Sequence, residues 1–190
     1  MTKVRLHPTL IELHGAMKDM CFRQVNGQMY VSVKSNGPSG EPTAAQMAHR
    51  ERFGLAVAYA KFALADPESR EVYDAASAQK GIPPFALGVA DYLNAPSVAE
   101  IDTAAYTGQI GSTLAIMTQD DLGVKQVNVV LTNAQGDPVE SGLAVENSAG
   151  SGHWTYTAKS LVAAGTTVNI QVTATDRPGG TGVKTATKAL

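Results

Sequence analysis

Apolar residues follow two different spacings along this chain, and the change near Pro96 predicts its organisation. Around Asn26-Gly27 they alternate on both sides. A type I′ turn needs positive φ at both central residues, and Asn-Gly meets that need at least steric cost, so a β-hairpin is predicted. Its two-residue loop sets the register. Gln24 faces Met29, Phe22 faces Val31 and Met20 faces Val33 on a mostly apolar face. Arg23 with Tyr30 and Cys21 with Ser32 share the more polar one, which is left for solvent or a partner. A short segment at 6–13, interrupted by Pro8, precedes the hairpin.

Helical spacing then takes over. "SNGPSGEP" is a loop by composition, and Thr43 with Gln46 forms the capping box of a helix reaching about Ala65. Its second part, "FGLAVAYAKFALA", carries one charge in thirteen residues, with apolar positions all the way round. Such a helix is expected to be buried on several sides, either in an oligomer or by the hairpin and the later helices. Asp66-Pro67-Glu68 stops it and starts a second helix, which runs to about Lys80 and is ended by Gly81. "PPFALGVADYLN" reads as a third short helix, closed by Asn94-Ala95-Pro96.

Beyond Pro96 the period becomes two and stays there. Strands are expected at 102–106, 113–118, 125–132, 139–145, 153–158, 167–175 and 182–188. Short strands with regular turn signals predict a β-sandwich, with Trp154 in the core between the sheets. The expected domains are 1–96, an α+β module of hairpin plus about three helices, and 97–190, an all-β sandwich.

Composition narrows the classes. With 44% hydrophobic and 17% charged residues, the 190-residue chain has the make-up of a globular protein. Net charge is −2 overall; 10 basic and 9 acidic residues precede Ser97, against 5 and 8 from there on. Neither half attracts nucleic acid or an anionic membrane in bulk. The lone Cys21 excludes an internal disulfide, and no Cys/His framework for zinc exists. The N-terminal stretch lacks the apolar core of a signal peptide, and no run is long enough to span a bilayer. Synthesis in the cytoplasm is expected, with any export route unknown.

"LAIMTQDDLGVKQVNVVLTNAQGD" and "HWTYTAKSLVAAGTTVNIQVTATDRPGG" resemble the bacterial immunoglobulin-like domains. Asp120, Asp121, Gly123, Val124 and Val127 match a D-D-x-G-V-x-x-V stretch; Ala174, Asp176 and Gly179 match A-x-D-x-x-G-N, with Gly180 where Asn is usual. The resemblance covers about half the chain and implies an immunoglobulin-like sandwich, a fold used by spacers, adhesive modules and fibre segments alike. The first half, with "PTAAQMAHRERFGLAVAYAK", is similar to small bacterial proteins that join such a segment to an immunoglobulin-like domain and have no established activity.

Candidate chemistry is sparse. Asp120 and Asp121, with Asp176, are candidates for calcium or for an acid/base pair, but calcium takes 6–8 oxygens and no D-x-D-x-D spacing supplies them locally. Capping of turns by these carboxylates is the favoured role, so no metal or other cofactor is expected. Ser77-Ala78-Gln79-Lys80 matches S-x-x-K without the S-D-N and K-T-G elements its chemistry needs. His7, Glu12 and His14 fit no metal spacing, "GSGHW" has no nucleophile elbow, and Gly108 and Gly111 open no phosphate-binding helix.

The function expected is that of a non-enzymatic structural protein. It would self-assemble through its N-terminal module, by Phe53, Leu55, Val57, Tyr59 and Phe62 of the long helix and Arg23 and Tyr30 of the hairpin, and display the sandwich. The alternative is a monomeric module whose sandwich loops bind a carbohydrate or protein. A weaker third reading, nucleic-acid association, would use Lys3, Arg5, Arg23, Arg50 and Arg52.

Overall fold

Contacts divide the protein into two units, Met1–Gln46 and Met47–Leu190. The computed structural model describes residues 2–3, 15–25, 27–34, 37 and 40–190. The 6–13 segment, with His7 and Glu12, lies outside the described residues, as do Arg5, His14 and Asn26.

In the first unit, β1 (Thr2–Lys3), β2 (Gly15–Met17), β3 (Met20–Val25) and β4 (Gln28–Val33) form an antiparallel sheet in the order β1-β4-β3-β2. The hairpin has the expected register, with Gln24 opposite Met29, Phe22 opposite Val31 and Arg23 opposite Tyr30. Gly27 takes the left-handed conformation that the turn requires, at φ 74°. The apolar face is only partly covered: Met29 near the turn is buried, Phe22 and Val31 are half-buried, and Met20 and Val33 at the far end are exposed.

Three helices follow, and local chemistry sets their ends. At α1 (Ala44–Ala65) the capping box closes in both directions. Thr43 N–H donates to Gln46 Oε1 at 3.0 Å, and Gln46 N–H donates to Thr43 Oγ1 at 3.3 Å. For α2 (Pro67–Lys80), Asp66 accepts the Ser69 N–H at 2.9 Å, and Gly81, left-handed at φ 67°, donates its N–H to Ser77 O. α3 (Pro84–Leu93) ends where the Asn94 N–H bonds to Ala90 O.

The contacts of α1 within its own unit cover less of it than its all-round apolar pattern predicts. α1 buries a single face, through Ala56, Ala60 and Ala63, and every residue from Ala44 to Leu55 is exposed. Its neighbours here are small and close. A Cβ on Gly88 of α3 would stand 3.1 Å from Ala60 Cβ, so the two helices cross where neither carries bulk. Tyr73 of α2, fully buried, joins Ala63 and Leu87 in a small core that Leu122 also touches. Alanine makes a helix apolar on all sides without obliging it to be buried on all sides.

The rest of the chain is β-sheet. β5 (Ser97–Asp102), β6 (Thr113–Gln119), β10 (His153–Thr157) and β9 (Val145–Glu146) make one sheet in that order. β12 (Thr181–Ala189), β11 (Thr167–Thr175), β7 (Gln126–Asn133) and β8 (Pro138–Leu143) make the other, and all pairings are antiparallel. Inward residues of both sheets form one core that includes Leu114, Ile116, Trp154 and Tyr156 from the first and Val127, Val129, Leu131 and Ile170 from the second. Trp154 sits there with Nε1 donating to Thr118 Oγ1 at 3.1 Å.

Two strand expectations change. The first strand begins directly after Pro96 rather than at Asp102. A bulge between Val98 and Glu100 interrupts the alternation that would have revealed it, and Tyr106 enters the core from a turn. The expected 139–145 strand is two strands in different sheets. β8 pairs with β7 and β9 with β10, and the chain crosses over at Ala144, whose N–H bonds to Val127 O.

Candidate functional site: the loop end of the sheets

The β6–β7 connection, the β9–β10 connection and the β11–β12 turn border a cleft of about 630 Å³. Its walls are held by carboxylates that bind backbone. Asp120 Oδ2 accepts the N–H groups of Leu122 and Gly123 at 3.1 and 2.9 Å. Asp176 Oδ1 accepts those of Gly179 and Gly180 at 2.8 and 2.6 Å. Glu146 accepts from Gly150 at 3.2 Å and from Gly152 at 3.1 Å. A short acceptor side chain that gathers N–H groups in this way fixes a turn. Gly152 admits no substitute: at φ 68° a Cβ would stand 2.6 Å from Thr118 O.

The helices meet this end of the sheets. Asn94 Nδ2 donates to Asp121 Oδ2 at 2.6 Å, and Lys80 Nζ donates to Asp121 O. A buried carboxylate that sequence reasoning passed over lies on α3: Asp91, 1% exposed, accepts the Tyr73 hydroxyl at 2.6 Å. Tyr73 shares a 3.0 Å hydroxyl contact with Tyr59. The signal was there, since Asp91 is the single charge in an apolar helix, but spacing alone could not say which way it turned.

Asp91, Asp120 and Asp176 each retain one buried oxygen without a hydrogen-bond partner. Burial is the main force pushing the Asp91 carboxyl up to about 6; the negative charges of Asp120 and Asp176 add to it, while the Tyr73 hydroxyl and the Arg177 guanidinium oppose it. Asp176 is also raised, chiefly by burial, against the pull of the Gly180 and Gly179 N–H groups. Burial raises Tyr73 too, so its hydroxyl stays protonated and donating.

Of the calcium candidates, Asp120 and Asp176 each cap their own turn and the Asp120 charge adds to the rise of Asp176, while Asp121 is exposed and bonded to Asn94. Among the described residues no group of three or more His, Cys, Asp or Glu side chains is arranged to hold a metal ion. The cleft instead offers two exposed cations, Lys125 and Arg177.

The assembly candidates fall in two places. On α1, Phe53, Leu55 and Phe62 are exposed, and Val57 and Tyr59 are half-buried. In the hairpin, Arg23 is exposed and Tyr30 half-buried. Arg52 is engaged within its own chain: Nη2 donates to Leu93 O at 2.7 Å, at the C-terminal end of α3 where a cation is favoured. No helix among the described residues is long and apolar enough to cross a membrane.

No family model matches the chain, and no curated protein matches it. Two solved structures are distantly similar. CopC from Methylosinus trichosporium OB3b shares 14% identity at a TM-score of 0.37, over 48% of this chain and 89% of its own. The bromine derivative of BhCBM56 shares 15% identity at a TM-score of 0.33, over 50% of this chain and 92% of its own. Likeness at this level identifies neither a family nor a ligand.

Proposed function

We propose that the protein is a non-enzymatic binding module, in which an immunoglobulin-like sandwich at 97–190 presents the loop-end cleft to a protein partner. Strand order supports the sandwich assignment. Counted from β5, the sheets run 1-2-6-5 and 8-7-3-4, the A-B-E-D and G-F-C-C′ arrangement of immunoglobulin domains. The observation that carries the function is the cleft itself. Three connections border it, their backbones are fixed by Asp120, Asp176 and Glu146, and Lys125 and Arg177 are left to meet a ligand. Loops held on a rigid sheet scaffold are where binding residues concentrate. The Tyr and Trp rings of the 97–190 segment, Tyr106, Trp154 and Tyr156, are all buried, so no Tyr or Trp face is available for a sugar to stack on. The cleft's own carboxylates, Asp120, Asp121 and Glu146, are engaged in hydrogen bonds within the chain, which leaves Lys125 and Arg177 for an acidic protein segment.

An NMR titration tests this. Polyglutamate is expected to shift the amides of 120–125, 149–152 and 177, and Lys125→Ala with Arg177→Ala to abolish the shifts. Maltohexaose and chitohexaose are expected to leave them in place. Shifts with an oligosaccharide, or with neither probe, would overturn the reading.

A second reading, self-assembly through the N-terminal module, is favoured by a separate observation. Met47, Phe53, Leu55 and Phe62 of α1 and Met17, Met20, Val25 and Val33 of the small sheet are all exposed. Exposed apolar side chains repeated along one element are the kind of surface that marks an interaction site. Sedimentation of the full chain tests it, and a monomer at every concentration is the contrary result.

A further inference from the structure

The outward side of α1 has a regular order. Ala48, Glu51, Leu55, Ala58, Phe62 and Ala65 follow at intervals of three and four residues, the a/d spacing of a helix-pairing seam, and all six are exposed. Leu55 is 53% exposed and Phe62 76%. At 100° per residue this stripe lies on the side of the helix turned away from buried Ala56, Ala60 and Ala63. From Ala48 to Ala65 the stripe is offered over about 26 Å of helix α1.

We propose that α1 pairs antiparallel with α1 of a second copy of this chain along this stripe. The inference rests on the self-assembly reading and adds the surface, the partner and the direction.

The sequence of the stripe selects both partner and direction. In a parallel pair every position meets itself. Glu51 would face Glu51, burying like charges together, and a thick Phe62–Phe62 layer would alternate with thin alanine layers. Reversing one helix about a point between Ala56 and Val57 removes both conflicts. Leu55 then lies against Ala58 of the second copy, Phe62 against Glu51, and Ala48 against Ala65, so no layer sets two large side chains together. The stem of Glu51 covers the Phe62 ring of the second copy, and its carboxylate comes beside Lys61 of that copy, one position from Phe62. Glu51 and Lys61 are both exposed, and neither has an ion pair within the chain among the described residues. The stripe is therefore complementary to itself in charge and in size when reversed, which a surface shaped for an unrelated partner need not be.

Analytical ultracentrifugation of the full chain, paired with directed cross-linking, tests the proposal. The wild type is expected to sediment at twice the chain mass, and Leu55→Glu and Phe62→Glu each to halve that mass. Both residues are exposed, so the circular dichroism spectrum of the variants is expected to stay unchanged, and their melting temperature to lose the dependence on protein concentration that the dimer gives the wild type. In a Cys21→Ser background, chains carrying Ala48→Cys mixed with chains carrying Ala65→Cys are expected to form a disulfide-linked pair, and neither alone to do so. Association that survives both glutamate substitutions would overturn the helix stripe while leaving self-assembly by another surface standing. A disulfide between two Ala48→Cys chains would overturn the antiparallel direction. A wild-type monomer would remove the inference and the self-assembly reading together, without touching the cleft.

Discussion

Asp91 is the residue whose environment departs most from what its neighbours in sequence suggest. It is the lone charge of α3, yet it points inward, where the Tyr73 hydroxyl satisfies one oxygen and the other has no partner. Tyr73, Asp120, Asp176 and Arg177 are the titratable or charged groups that act on it besides its own burial. Its folded pKa of about 6 stands above the unfolded carboxylate value, so between about pH 4 and 6 the folded chain holds a proton that the unfolded chain has lost. The stability this contributes is complete below about pH 4 and is lost as pH rises through 6. Asp91→Asn keeps an acceptor for Tyr73 and cannot ionise. Chemical denaturation of the variant and the wild type is expected to show their difference moving in the variant's favour by about 2–3 kcal/mol between pH 4 and pH 7.5. A difference that does not change with pH would mean that Asp91 ionises as it would in water. Asp120 and Asp176 were legible as turn-cappers because Asp before a glycine has few better uses than accepting nearby N–H groups. Their convergence with Asp91 was not legible, since it joins a helix to two strand connections.

At the scale of elements, the sequence was most readable where one residue decides a boundary. Thr43, Asp66 and Gly81 end or begin their helices through hydrogen bonds within four residues, so the chemistry that sets them is local. β7 and β11 were readable because strict alternation leaves no choice of inward face. β5 and the β8–β9 division were not, because a bulge and a change of sheet both break that period. Helix crossing is likewise a matter of fit. Gly88 brings α3 so close to Ala60 of α1 that even a Cβ would press on it, at 3.1 Å. Gly88→Leu is therefore expected to force the helices apart and to cost roughly 1–3 kcal/mol, read from urea denaturation. An unchanged midpoint would mean that the α1–α3 contact contributes little.

For the whole molecule, the question is where a stable piece can be cut. A boundary at Pro96 is the proposal of the sequence, whereas contacts place the three helices, from Met47 on, in the same unit as both sheets. Leu122 touches the helical core, Asp121 receives Asn94 and Lys80, and β12 passes so near Pro96 that Gly182 has no space for a side chain. The 97–190 fragment retains the entire core between the sheets and is expected to fold, but to melt below the full chain because these contacts are gone. Thermal melts followed by circular dichroism of the two proteins check this. A fragment that does not fold would make the helices part of the same folding unit. What the sequence determined by itself were the quantities set within a few residues: the hairpin register, the helix ends, the strand periodicity and the turn-capping carboxylates. What only the tertiary structure decided were the meetings of distant segments: Asp91 brought among Asp120 and Asp176, the cleft between three connections, and the stripe of α1 left bare. The reason is physical. Capping and alternation act through neighbours along the chain, while burial depends on which other surface arrives, and an apolar residue has no preference among apolar surfaces.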